Sequence, residues 1–181
     1  MKTIRIGSGA GYAGDRIEPA MELIEKGNLD YIIFECLAER TVAIGQQDKE
    51  KDSEKGYNQL LEYRMKKILP LLFHNHVKMI TNMGAANPKA AARQTKKIAE
   101  ELGISGLKIA CVTGDDITDK LEKYMDNIVL ENGKQLGGLR DSLISFGACS
   151  FSASCIKRSP SDTVSSSPSS SRISFSCSRR I

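Results

Sequence analysis

One pattern recurs along the first 145 residues: a short apolar run ends in a loop of Gly, Asn or Asp, and a segment with helical spacing follows. Strands that alternate with helices in this way pair in parallel, so the chain is expected to be α/β, a parallel sheet of β-α-β units with glycine-bearing loops at the strand C-terminal ends. Thr3 to Ile6 reads as the first strand, and the helix after it ends at Lys26, where Gly27 is expected to supply a left-handed cap. Tyr31-Ile32-Ile33-Phe34 is a continuous apolar run, as expected of a strand with helices on both faces of its sheet. The stretch from Gln46 to Lys55 is almost wholly polar and suits an exposed loop. Leu60, Leu61, Met65, Ile68 and Leu69 then resume a helical spacing that Pro70 is expected to kink or end. Val77 to Thr81 reads as strand three, Pro88 to Leu102 as a helix capped by Gly103, and Leu107 to Val112 as strand four. A short helix from Thr118 to Met125 and a tight Asn132-Gly133 turn between extended stretches complete the body.

Charge separates this body from the C-terminal segment. Residues 1–145 hold 21 Lys and Arg against 21 Asp and Glu, so the net +4 comes from residues 146–181, which hold five basic residues and only Asp162. A neutral body without a basic stripe argues against nucleic acid as a partner. No span reaches transmembrane length, and the first six residues lack the apolar core of a signal peptide. Cys36 and Cys111 fall at or beside strands and suit buried, reduced thiols in a cytoplasmic protein. In the last 36 residues 14 are serine, which cannot build a core, so residues 146–181 read as a disordered basic tail. A sharper alternative is a change of reading frame. Val164-Ser165-Ser166-Ser167-Pro168 can be encoded GTN TCN TCN TCN CCN, and a two-base shift gives NTC codons, each of which specifies Phe, Leu, Ile or Val. The DNA around codon 145 decides between the two, since a closed offset frame eliminates the second.

Four loops are expected to converge on the sheet edge where parallel sheets bind ligands. Gly9-Ala10-Gly11-Tyr12-Ala13-Gly14 fits G-x-G-x-x-G between a strand and a helix, with Glu35 lying 21 residues past Gly14, as in a dinucleotide fingerprint. Against that, Asp15 comes directly after Gly14 and forms a D-x-x-E pattern with Glu18 that would cap the helix internally. Two carboxylates there repel pyrophosphate, which favours a tight structural turn or a site for a neutral or cationic group over nucleotide binding, with Arg16 partly restoring anion affinity. Glu35 ends strand two, and Glu39 would share a helix face with it if the helix began early, giving a general base or a carboxylate pair. The alternative is that Glu39 pairs with Arg40 or caps a helix while Glu35 bonds loop amides. Asn82, Gly84 and Asn87 leave strand three, where the asparagines can orient a polar ligand, although Asn87 before Pro88 is also a standard helix cap. Asp115 and Asp116 suit a structural cap better than a cation site. His74 and His76 lack a third ligand for zinc, and no metal site is expected.

The blocks Gly9 to Arg16, Gly27 to Tyr31, Glu35 to Thr41, Asn82 to Pro88 and Leu130 to Gly133 resemble, in order and spacing, the N-terminal domain of the acyclic terpene utilisation family, AtuA. The resemblance covers about residues 2 to 145, roughly the first two-fifths of a longer family domain, so 1–145 is expected to be an incomplete domain. It implies a role in breakdown of branched terpenoid alcohols such as citronellol and geraniol through carboxylic and acyl-CoA intermediates, and it carries no catalytic residues over. The leading expectation is a small-molecule enzyme, or part of one, acting on a carboxylate or acyl thioester. Glu35, Glu39 and Arg40 would stand in its site, and Gly9, Gly11, Gly14, Asp15, Arg16, Asn82, Gly84 and Asn87 would line it. The rivals are a non-catalytic ligand-binding or assembly module and an inactive truncated product, the latter predicting aggregation from uncovered apolar faces. No motif specifies a cofactor, the expected partner is a small molecule without nucleic acid or membrane, and an oligomer is left open.

Overall fold

The computed structural model describes residues 3–116, 118–129 and 133–138, together with the backbone of 154–158. Strands β1 (Ile6–Ala10), β2 (Tyr31–Phe34) and β3 (Lys78–Thr81) pair in parallel, each followed by helix. The helices are α1 (Glu18–Lys26), α2 (Glu39–Lys51), α3 (Leu61–Asn75) and α4 (Pro88–Glu101). Strand β4 (Leu107–Cys111) does not pair with β3. Strand β5 (Ser154–Arg158) lies between them, antiparallel to both, giving the order β1-β2-β3-β5-β4. Strand β5 falls within segment 146–181, expected to be a disordered or out-of-frame tail; the rest of that segment lies outside the described residues.

The strands are added in one direction across the sheet, and right-handed crossovers then place their helices on the same face. Accordingly α1 packs on α3 and α3 on α4, while α1 covers β1 and α4 covers β4. Ile32, Phe34 and Met79 point into this layer and are buried against residues such as Ile24, Met65 and Ile98. This overturns the expectation of helices on both faces for β2, whose residues alternate between half-buried and buried. The opposite face carries Ile6, Tyr31, Ile33, Lys78 and Ile80 and is half-open among the described residues. Ile6 is 61 % exposed.

Several local expectations shift for physical reasons. The first strand runs from Ile6 to Ala10, not Thr3 to Ile6, because Gly7 and Gly9 occupy its helix face. A Cβ on Gly7 would stand 2.5 Å from Leu29 Cδ1, and one on Gly9 2.6 Å from Phe34 Cζ, so the strand lies too close to its neighbours for larger residues. Gly27 has φ −79° and is not the left-handed cap; a Cβ there would meet the Leu23 carbonyl oxygen at 2.5 Å, and Asn28 (φ 46°) takes the left-handed turn. Gln46 to Lys51 is helical, the polar end of α2, built of good helix formers though only Gly45 of that helix is buried. Helix α3 continues through Pro70 to Asn75; Pro70 and Lys66 both lie on its exposed side, where water can satisfy the carbonyl that proline leaves free. Residues Thr118–Tyr124 form a 3₁₀ helix. Near Gly133 (φ 67°) the chain turns, with Val129 N–H donating to the Lys134 carbonyl and Ile128 bridged to Gln135, while Asn132 lies outside the described residues.

Other local signals hold as expected. Asn87 caps α4 by accepting from Ala90 N–H at 3.2 Å, Pro88 opens the helix, and Gly103 follows its end with φ 69°.

Candidate functional site

The loop after β1 begins at Gly11 and turns on Asp15. The Asp15 carboxylate accepts from the N–H groups of Gly11 at 2.9 Å and Tyr12 at 3.0 Å through one oxygen, Oδ2. These amides are donors that a phosphate would need, and the chain supplies its own anion to them. Asp15 therefore caps the loop and not the helix; α1 starts after Ile17 without a side-chain cap. Gly9 is part of β1, packed on Phe34, whereas Gly11, Gly14 and Arg16 are exposed. Gly11 has open space where a Cβ would be.

After β2, Glu35 N–H donates to the Ala10 carbonyl at 3.0 Å, which ties the second loop to the first. The Glu35 side chain is held by one oxygen: Oε1 accepts from Leu37 N–H at 3.0 Å and from Asn82 Nδ2 at 2.9 Å. Its other oxygen makes no hydrogen bond to the described residues, and the side chain is half-buried at the sheet edge. Asn82 is 2 % exposed and acts as a two-ended clamp, because its Oδ1 also accepts from Cys36 N–H at 2.7 Å. The expected helix carrying both Glu35 and Glu39 does not form. Ala38 is extended (ψ 169°), α2 starts at Glu39, and Thr41 closes the turn by accepting from Ala38 N–H at 2.7 Å. Glu39 and Arg40 are exposed on that first turn.

In the loop after β3, Gly84 is buried where a Cβ would come within 2.8 Å of Pro88 Cα. Besides capping α4, Asn87 donates through Nδ2 to the carbonyls of Ser53 and Lys55 at 2.8 and 2.7 Å, anchoring the turn after α2. Its amide is thereby spent on protein partners. After β4, Asp116 accepts from Thr118 Oγ1 at 2.6 Å and from its N–H at 3.0 Å, and these bonds hold its carboxyl below the usual range. That is a capping role for one of two adjacent carboxylates. His74 lies near the end of α3 and His76 is its left-handed cap. Among the described residues no three His, Cys, Asp or Glu side chains stand together as metal ligands would, and no helix is long and apolar enough to cross a membrane.

Of the expected residues, then, Asp15, Glu35 and Asn82 come together. Two further members were not anticipated. Cys36 is buried as expected, whereas Cys111, at the exposed end of β4, is not; burial pushes the Cys36 thiol up in pKa against the opposing pull of Arg64. Arg64 on α3 is also buried, its Nη1 3.0 Å from Cys36 Sγ. The signal for Arg64 was present in the spacing: it falls three residues after Leu61 and four before Ile68, on the buried stripe of its helix.

The geometry defines an α/β protein in which the loops after three parallel strands are cross-tied around the half-buried Glu35 carboxylate. The chain belongs to the acyclic terpene utilisation family, AtuA: the model of that family matches residues 4–151, past Ser145 but short of β5. No curated protein and no solved structure matches the chain significantly.

Proposed function

We propose that this chain acts in acyclic terpene breakdown in the cytoplasm, on the acyl end of a terpenoid thioester, with Glu35 as the general base. The observation that carries this reading is the asymmetry of Glu35, one oxygen fixed by Asn82 and Leu37 and the other without a hydrogen bond among the described residues. A base held in this way has a set orientation and an unoccupied lone pair. The carbon next to a thioester carbonyl is a weak acid. Its proton would pass to the free Glu35 oxygen while the C–H electron pair moves to the carbonyl as an enolate.

Charge separates the two ligand classes suggested by the sequence. Asp15 and Glu35 border the site, so a free terpenoid carboxylate meets like charge, whereas a thioester brings a neutral acyl end and keeps its phosphates at a distance. Glu39 and Arg40, exposed on the first turn of α2, are proposed to meet the more distant parts of the ligand. Gly11, Gly14 and Arg16 line the β1 side of the opening.

Deuterium incorporation at the α-carbon of citronellyl-coenzyme A in D₂O, followed by mass spectrometry, tests the reading. Exchange above the buffer rate is expected for the intact chain, with a loss of roughly 10²–10⁴-fold in Glu35→Gln. Equal exchange in the two proteins removes Glu35 as the base. Binding without exchange in either identifies a non-catalytic module.

A further inference from the structure

Helix α3 carries one charged residue in its buried stripe. Arg64 is 1 % exposed, and among the described residues it has no carboxylate within ion-pair distance. Nη2 donates to the Asp15 carbonyl at 2.7 Å; Nη1 donates to Cys36 Sγ at 3.0 Å and, more distantly, to Met83 Sδ at 3.7 Å. Each acceptor belongs to a different strand-end loop, after β1, β2 and β3 in turn.

A buried guanidinium without a contacting anion is costly, and an apolar side chain of similar volume would fill the core at lower cost. What arginine offers instead is a rigid planar fork whose donors point in several directions at once. We propose that Arg64 is the positioning residue of this site, fixing the three loops in one arrangement so that the carboxylates of Asp15 and Glu35 border the same opening. Holding the Asp15 carbonyl sets the turn whose carboxylate fills the Gly11 and Tyr12 amides. Holding Cys36, whose N–H is clamped by Asn82, sets the point at which Glu35 leaves β2. The cation also acts on the Cys36 thiol in opposition to the Glu35 and Asp15 charges. The assignment rests on the reading of Glu35 as the site carboxylate, but the tie itself is measurable without any ligand.

The test uses the full chain with Arg64→Met, which matches the volume and removes every donor, and Arg64→Lys, which keeps a cation without the fork. Amide hydrogen exchange is followed at Gly11, Tyr12, Cys36, Leu37 and Met83. In Arg64→Met all three loops are expected to exchange at least about tenfold faster while α1 and α4 change less, with Arg64→Lys between it and the wild type. The pH dependence of the Cys36 ¹³Cβ shift gives a second reading. Loss of the cation moves the thiol titration to higher pH, and lysine restores part of that move. Unchanged loop exchange in Arg64→Met, or loosening that is uniform over the chain, overturns the proposal, as does a thiol titration that does not respond. Should Arg64→Met fail to fold, Arg64→Gln against Arg64→Lys makes the same comparison. Loosened loops in Arg64→Met together with unaltered exchange chemistry in Glu35→Gln would retain Arg64 as the tie and discard the Glu35 mechanism.

Discussion

Replacing Asn82 by alanine should cost far more than an ordinary loop substitution. The side chain is 2 % exposed and makes two directed bonds, accepting from Cys36 N–H at 2.7 Å and donating to Glu35 at 2.9 Å. Alanine leaves the Cys36 N–H without its acceptor in a buried setting, which costs about 1–3 kcal/mol. The bond to Glu35 is charge-assisted, but Glu35 is only half-buried and water can replace part of it, so it adds about 0.5–1 kcal/mol. A total of roughly 3 kcal/mol corresponds to a fall of about 6–12 °C in Tm for a protein of this size. Urea unfolding followed by circular dichroism measures the loss directly. Asn82→Asp refines the test without making a cavity: it keeps an acceptor for Cys36 but sets a second carboxylate against Glu35, so at neutral pH it should be at least as unstable as Asn82→Ala. A loss below about 0.5 kcal/mol for alanine, the size of a surface change, would refute the clamp.

The glycine motif gives a paired prediction. Gly9→Ala drives a Cβ into the Phe34 ring and should destabilise by about 1–3 kcal/mol, whereas Gly11→Ala meets open space and should stay within about 0.5 kcal/mol; denaturation midpoints of the two variants decide this. Alkaline pH gives another. Burial raises the Cys36 thiol above its ordinary value of 9.0, so the unfolded chain loses this proton first. The stability is fully present below about pH 9 and is lost as pH rises through the folded value. Cys36→Ala should flatten the alkaline fall in stability; an unchanged slope in denaturation series from about pH 8 to about pH 10.5 would exclude a contribution from Cys36.

What the sequence made legible was chemistry that is local to a few residues. Asn87, Pro88 and Gly103 announce the two ends of α4, and the apolar run Tyr31 to Phe34 announces β2, because each signal depends on neighbours within a turn or on one strand. Strand β1 was misplaced for the opposite reason. Its Gly7 and Gly9 are set by Leu23, Leu29 and Phe34 pressing from other elements, and glycine carries no apolar signal of its own. Helix α2 was hidden because it buries so little that no stripe shows. In the site, Glu35 and Asp15 were visible as charges beside strands, but their partners were not. Asn82 reaches Cys36 across 46 residues of sequence and Arg64 reaches it across 28, distances at which a single sequence gives no pairing information.

The direction in which the sheet grows also bears on how the glycine-bearing loop after β1 differs from a doubly wound nucleotide cradle. In doubly wound sheets the cradle opens where the strand order reverses and two neighbouring loops diverge to opposite faces. From β1 to β2 to β3 no reversal occurs. Their loops leave the sheet side by side, about 5 Å apart from strand to strand, and close on one another. Ala10 accepts from Glu35, Glu35 from Asn82, and Asp15 satisfies the amides of its own turn. Where doubly wound folds leave donors free for a phosphate, this edge spends them internally and presents carboxylate oxygens instead. On the proposed reading such an edge favours a neutral, proton-donating group on its ligand, and the acyl end of a thioester then suits it better than the anion of the corresponding acid.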